Sequence, residues 1–211
     1  MAHELDDIEK EEAVKEWLRK NVPVIIIGVF GGLLAVFGWN HYQTGQFEQR
    51  SQAAAIYQNI MESEDSVQRR ADAQHLRDDY ANTPYAAIGA LEIARQLVND
   101  DQDLAAAADK FRWVIDNARE SSLVNLAAVR LARIQLSMDQ PDEALATLDR
   151  IGSPEGFSAL IAHVRGDVYA RRGEREQARQ AYQEALLADG QGGMTRGLIE
   201  MKLSELGADA S

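Results

Sequence analysis

Residues 166–186 read G-D-V-Y-A-R-R-G-E-R-E-Q-A-R-Q-A-Y-Q-E-A-L, and their spacing decides the fold. Counting from Ala159 as position 1, Gly166 and Ala178 stand at positions 8 and 20, Tyr169 and Tyr182 at 11 and 24, and Ala185 at 27. Small side chains at 8 and 20 let two antiparallel helices touch, while the larger ones at 11 and 24 fill the gap toward a next hairpin. One such hairpin leaves an apolar face bare, so it requires neighbours.

The neighbours are in the sequence. This spacing is that of the tetratricopeptide repeat, a helix pair of about 34 residues. Counting from Asn125 instead puts Ala132, Gln135, Ala144, Leu148 and Ile151 at the same five places, keeping the small residues and losing the aromatic ones. A further copy from Ile88, set off by a three-residue insertion, gives Leu91, Ala94, Val98, Ala107, Phe111 and Val114, with Arg95 at the small position 8. Upstream, Ala53, Ile56, Tyr57 and Ile60 recur at helical spacing, and Leu198, Met201 and Leu206 supply a closing helix. Pro84, Pro141 and Pro154 fall at breaks between alanine-rich stretches, and strand patterns are almost absent. The expectation is an all-α repeat solenoid, with repeats at 88–121, 125–158 and 159–192 and flanking helices at 46–80 and 194–207.

Ahead of the repeats, Val22 to Trp39 reads V-P-V-I-I-I-G-V-F-G-G-L-L-A-V-F-G-W, eighteen residues without a charge. As a helix it is about 27 Å long, close to a bilayer's hydrocarbon core. A buried core helix would show a polar face, and a cleaved signal would end in small residues rather than Phe37, Trp39 and Tyr42. One N-terminal transmembrane helix at 22–39 is therefore expected, with Asn21 capping it, Pro23 in its first turn and a short helix before it. Lys10, Lys15, Arg19 and Lys20 precede the span and only Arg50 follows within twenty residues. The positive-inside bias then makes 1–21 a cytoplasmic tail and places the domain at 40–211 on the opposite side of the membrane. Gly28, Gly31, Gly32, Ala35 and Gly38 form one stripe of small residues, a candidate surface for packing against a second helix.

The formal net charge is −12, of which the tail carries seven acidic against four basic residues. A surface of that sign repels phosphate backbones, which excludes nucleic acid as a partner. The absence of cysteine removes disulfides, thiolate catalysis and sulfur-based zinc sites.

No catalytic constellation emerges, and no cofactor is expected. His3, His41, His75 and His163 are scattered, and neither G-x-S-x-G nor a Walker A loop occurs. The run Gly190, Gln191, Gly192, Gly193 follows a helix rather than a strand and reads as a connection. Asp100, Asp101 and Asp103 lack the glycine and distant glutamate of a calcium loop, so Asp103 reads as a helix cap.

The order of features and several strings resemble the ancillary subunits of the bacterial SecYEG translocon. The strings are A-V-K at 13–15, G-W at 38–39, A-A-A-I-Y-Q-N at 53–59, L-R-D-D-Y-A-N-T-P-Y-A-A at 76–87, G-A-L-E-I-A-R-Q-L-V at 89–98, V-R-L-A-R-I-Q at 129–135 and V-R-G-D-V-Y-A-R-R-G at 164–173. The resemblance implies an inner-membrane protein with a periplasmic domain, a partner of the translocon. It also implies association with a membrane-anchored chaperone related to peptidyl-prolyl isomerases.

If the array binds a partner, its concave face is the default place. Positions 5, 9 and 13 of the first helix in each repeat are expected there: Glu92, Gln96 and Asp100, then Val129, Arg133 and Ser137, then His163, Asp167 and Arg171. From these the candidate binding residues are Glu92, Gln96, Arg133, His163, Asp167 and Arg171. The lysine and asparagine that clamp an acidic chaperone tail in other tetratricopeptide domains are missing at positions 5 and 9. The function read from the sequence is a membrane-tethered scaffold that holds a chaperone, and with it unfolded client polypeptides, near the translocon. The alternative is a regulatory adaptor of an envelope stress response, with the acidic tail as its sensor.

Overall fold

The structure, a computed structural model, describes residues 2–152, 154, 156–189 and 196–208. The glycine-rich run 190–193 lies outside the described residues. Among those described, nine helices and no strand are found: α1 (Ala2–Glu62), α2 (Ser66–Asp79), α3 (Pro84–Asn99), α4 (Leu104–Asn117), α5 (Ser121–Ser137), α6 (Pro141–Ile151), α7 (Ser158–Arg171), α8 (Arg175–Asp189) and α9 (Arg196–Ala208). The chain divides into two compact units, Met1–Gln49 and Arg50–Ser211.

The first unit is formed by the N-terminal part of α1, up to Gln49. Its apolar window has a mean hydropathy of 2.3, and none of it is buried. Ile27, Phe30, Leu34 and Phe37 are all more than 60% exposed. At about 25 cal/mol per Å² of apolar surface, leaving such a stretch in water is unfavourable, and a bilayer is the solvent that suits it. The buried-core reading of this helix therefore fails. The helix does not begin at the span either: Asn21 and Pro23 lie inside it rather than at a cap and a first turn. The Asn21 amide instead turns back to donate to the Trp17 carbonyl, at 2.8 Å.

In the second unit the apolar positions join into a core that each first helix of a repeat passes on. Ala53 and Ile60 of α1, Leu76 of α2, Ala90, Ala94 and Leu97 of α3, and Phe111 and Val114 of α4 are buried together with Ala127, Leu131 and Ile134 of α5. The opposite side of α5, with Val129 and Ala132, packs with Ala144 and Leu148 of α6 and Ile161, Val164 and Val168 of α7. Ala162 of α7 then joins Ala178, Tyr182 and Ala185 of α8 and Ile199 of α9. A helix buried on two sides is what a stacked repeat requires, since every hairpin covers the next.

The caps are explicit at several ends. Asp103 accepts a hydrogen bond from the Ala106 N–H at 3.0 Å, the cap role expected for it. Asp65 serves the Val67 N–H in the same way. Pro84 and Pro141 stand in the first turns of α3 and α6.

The repeat is also written in the backbone. Position 15 of the three copies is Gln102, Asp139 and Gly173, and all three have positive φ, at 55°, 61° and 75°. Each lies one residue before the end of the turn between the two helices of its hairpin. At the second and third turns the next N–H reaches back five residues, Gln140 to the Gln135 carbonyl at 2.8 Å and Glu174 to the Tyr169 carbonyl at 2.9 Å. That is a Schellman closure around a left-handed residue.

The first turn differs. Four residues, 100–103, separate α3 from α4, whereas three separate α5 from α6 and α7 from α8. One extra residue puts α3 one position out of phase with the later repeats. Ala94, fully buried, thus fills the place where counting from Ile88 puts Arg95, and Arg95 is exposed.

Candidate partner-binding face

The extra turn residue re-indexes the candidate face. Once α3 is shifted by one, position 5 is Leu91, Val129 and His163, position 9 is Arg95, Arg133 and Asp167, and position 13 is Asn99, Ser137 and Arg171. The burial pattern follows this register. Leu91, Val129 and His163 are 6%, 1% and 4% exposed, so position 5 belongs to the core. Gln96 is buried at 4%, and its Oε1 has no hydrogen-bond partner among the described residues. Gln96 and His163 therefore do not present their side chains to a partner. Arg95 and Asn99, which the sequence count passed over, stand at the surface instead.

Two depressions lie along these positions. One, of about 220 Å³, sits between α3 and α5 with Phe111 of α4 at its base, and takes in Arg95, Asn99, Arg130 and Arg133. Glu92 is turned away into an ion-pair cluster: its carboxylate meets Arg69 at 3.0 Å and Arg95 at 2.5 Å and 3.0 Å. The Arg95 hydrogen bond holds its carboxyl below the usual range against the cost of burial, with Arg69 and Arg130 adding to the effect.

The second depression, of about 590 Å³, is lined by Leu136 of α5, Asp167 and Arg171 of α7, and Lys202, Glu205 and Leu206 of α9. Asp167 is its organising group. It accepts a hydrogen bond from the Tyr182 hydroxyl at 2.7 Å and pairs with the Lys202 ammonium. That ammonium also lies 3.2 Å from His163 Nε2 and 5.7 Å from the Tyr182 ring centroid. Burial, joined by the neighbouring Lys202 and Arg133 charges and opposed by Asp167, pushes the His163 pKa down. Burial and the Asp167 carboxylate push the Tyr182 phenol far above its ordinary value. Arg171 remains exposed and pairs with Asp139 at 3.4 Å.

Asp167 and His163 hold α9 to α7 and α8 through Lys202 and Tyr182. Among the described residues no group of three histidine, aspartate or glutamate side chains is placed to hold a metal.

On the membrane helix, a Cβ added at Gly28, Gly31, Gly32 or Gly38 would meet nothing within 4 Å, and Ala35 is exposed. The stripe is thus open to a neighbour.

A tetratricopeptide repeat-like domain model matches residues 15–208. A Haemophilus influenzae protein is 27% identical over 208 residues, covering 98% of this chain and 100% of its own length. One from Escherichia coli is 30% identical over 197 residues, or 92% and 94% of the two chains. One from Neisseria gonorrhoeae is 31% identical over 177 residues, or 82% and 84%. All three are ancillary SecYEG translocon subunits by name. With a helical-repeat domain, an apolar N-terminal helix long enough to cross a membrane and end-to-end similarity to these relatives, the chain belongs to the family of ancillary SecYEG translocon subunits.

Proposed function

We propose that this protein is a non-enzymatic scaffold of the inner membrane, tethered by residues 22–39 beside the SecYEG translocon. Its N-terminus faces the cytoplasm and its repeat domain the periplasm, where it holds a membrane-anchored chaperone of the peptidyl-prolyl isomerase type close to emerging polypeptides. The observation that carries this reading is the pairing of an apolar helix with no buried surface and a repeat domain whose α3–α5–α7 face carries open depressions.

The mechanism is effective concentration. A domain fixed by a single span samples only a thin layer at the membrane, so a weak contact with a partner in that layer is occupied without high affinity. The excess of Lys and Arg before the span supports the orientation. The small-residue stripe suits a close helix–helix contact with an equally anchored partner.

The test has two arms. In intact spheroplasts, a C-terminal tag should be digested by added protease, and a tag protected until lysis would overturn the orientation. Tagged protein solubilised in mild detergent should recover translocon subunits together with a membrane-anchored chaperone. Recovery of neither in repeated trials would overturn the scaffold.

A further inference from the structure

The depression between α3 and α5 joins a basic rim to apolar walls. In a chain of net charge −12, its polar rim is basic: Arg95 from α3, and Arg130 and Arg133 from α5. Arg130 and Arg133 are one helical turn apart on the same side of α5. Most arginines of the domain lie against a carboxylate, as Arg70 does with Asp101 and Arg165 with Asp149. Arg130 and Arg133 have no carboxylate within 4.0 Å among the described residues. Glu92, which feels the Arg130 charge, is already shared by Arg69 and Arg95. Arg130 and Arg133 thus leave unmatched positive charge at this opening.

Beneath the rim the walls are apolar, formed by Val98, Phe111 and Ile134. The volume of about 220 Å³ is below the roughly 300 Å³ at which pockets for whole small ligands begin. It suits one large apolar side chain, with the backbone of the partner running past the arginines.

We propose that the α3–α5 depression is a docking site for an acidic peptide segment, in which a carboxylate is forked by Arg130 and Arg133 while an adjacent leucine or phenylalanine enters the space over Phe111. Guanidinium pairs recognise carboxylates bidentately, and the contact gains strength because these cations have no competing partner. The Arg95 head, fixed by its two bonds to Glu92, bounds the opening on the α3 side and sets the direction of approach. The site gives a ligand chemistry to the scaffold proposed above and rests on that reading for its physiological partner.

The test uses the full chain in detergent micelles and a fluorescein-labelled decapeptide carrying two glutamates beside a leucine and a phenylalanine. Fluorescence anisotropy should show saturable binding that weakens as salt is raised. Replacing both glutamates of the peptide by glutamine, or its two apolar residues by serine, should lower affinity at least about tenfold. The double variant Arg130→Gln/Arg133→Gln, checked for unchanged helicity by circular dichroism, should do the same, and Arg133→Lys should fall between because lysine keeps charge but not the fork. Absence of binding, indifference to either peptide change, or unaltered binding by the double variant would each overturn the site. Self-association that disappears in the double variant would also overturn it, by assigning the opening to a second copy. Translocon recovery is scored in parallel: recovery without peptide binding removes this site and leaves the scaffold standing, whereas peptide binding without recovery does the reverse.

Discussion

The ring of Tyr182 packs against Gly166, so close that a Cβ at residue 166 would be 2.4 Å from two ring carbons. Position 24 of the repeat thus packs on position 8 of its own hairpin, besides reaching toward α9 through Lys202. The ring cannot swing aside freely, because its hydroxyl is bonded to Asp167. Gly166→Ala should cost about 1–3 kcal/mol from overpacking, although alanine is the better helix former. Thermal unfolding followed by circular dichroism checks this, and adding Tyr182→Leu should return part of the loss. A Gly166→Ala protein as stable as the parent would mean that α7 and α8 separate without cost.

Gln102 and Asp139 hold the left-handed conformation that Gly173 holds at the equivalent turn. For a residue with a side chain that conformation costs about 1 kcal/mol, which glycine avoids, less what glycine gains in unfolded-state entropy. Gln102→Gly should therefore raise stability by a few tenths to about 1 kcal/mol, and Gly173→Ala should lower it by about 1 kcal/mol. Denaturant midpoints of the two variants should move in opposite directions. Asp139→Gly should gain less, because it also gives up the exposed pair with Arg171.

The register of the first repeat shows where the sequence stops being legible. Small and large residues at fixed intervals specify hairpins, because only small side chains permit close helix contact, and Ala144, Ala178, Tyr182 and Ala185 are buried where their spacing puts them. The candidate face depends on absolute phase, and one added residue in a turn rotates a helix by about 100°. Counting from Ile88 could not see that residue. That count puts Gln96 on the face and Arg95 in the interior, and an arginine at a position requiring a small side chain is the signal that the phase is off. His163 was legible only as a residue on a helix face. Its burial depends on α9, a helix the sequence places at 194–207 without showing that Lys202 reaches His163.

The second repeat substitutes a polar contact for the missing aromatic ring. Gln135 and Thr147 are 5% and 8% exposed, and the Thr147 hydroxyl donates to Gln135 Oε1 at 2.8 Å. Thr147→Val leaves that amide oxygen buried without a partner, which should cost about 1–3 kcal/mol. Gln135→Leu together with Thr147→Val removes both polar groups and should recover much of the loss. Chemical denaturation of the single and double variants checks the pair, and equal stability of the two would place the cost elsewhere.

The contact between α9 and α7 should be sensitive to acid through His163. Its ring faces Asp167 on its own helix, Lys202 on α9, Tyr182 on α8 and the more distant charge of Arg133 on α5. Because burial pushes its folded pKa below the ordinary value of 6.5, the unfolded chain binds more protons than the folded one between those two values. Stability from this residue is therefore complete above about pH 6.5 and declines as pH falls toward the depressed value. A protonated ring would also repel Lys202, which holds α9 through Asp167. Melting temperatures should change little between pH 8 and pH 7 and then drop toward pH 5.5. His163→Gln, which cannot take the proton, should flatten that drop whatever its effect at pH 8. An identical decline in both proteins would assign the acid sensitivity to other groups and leave His163 a passive part of the core.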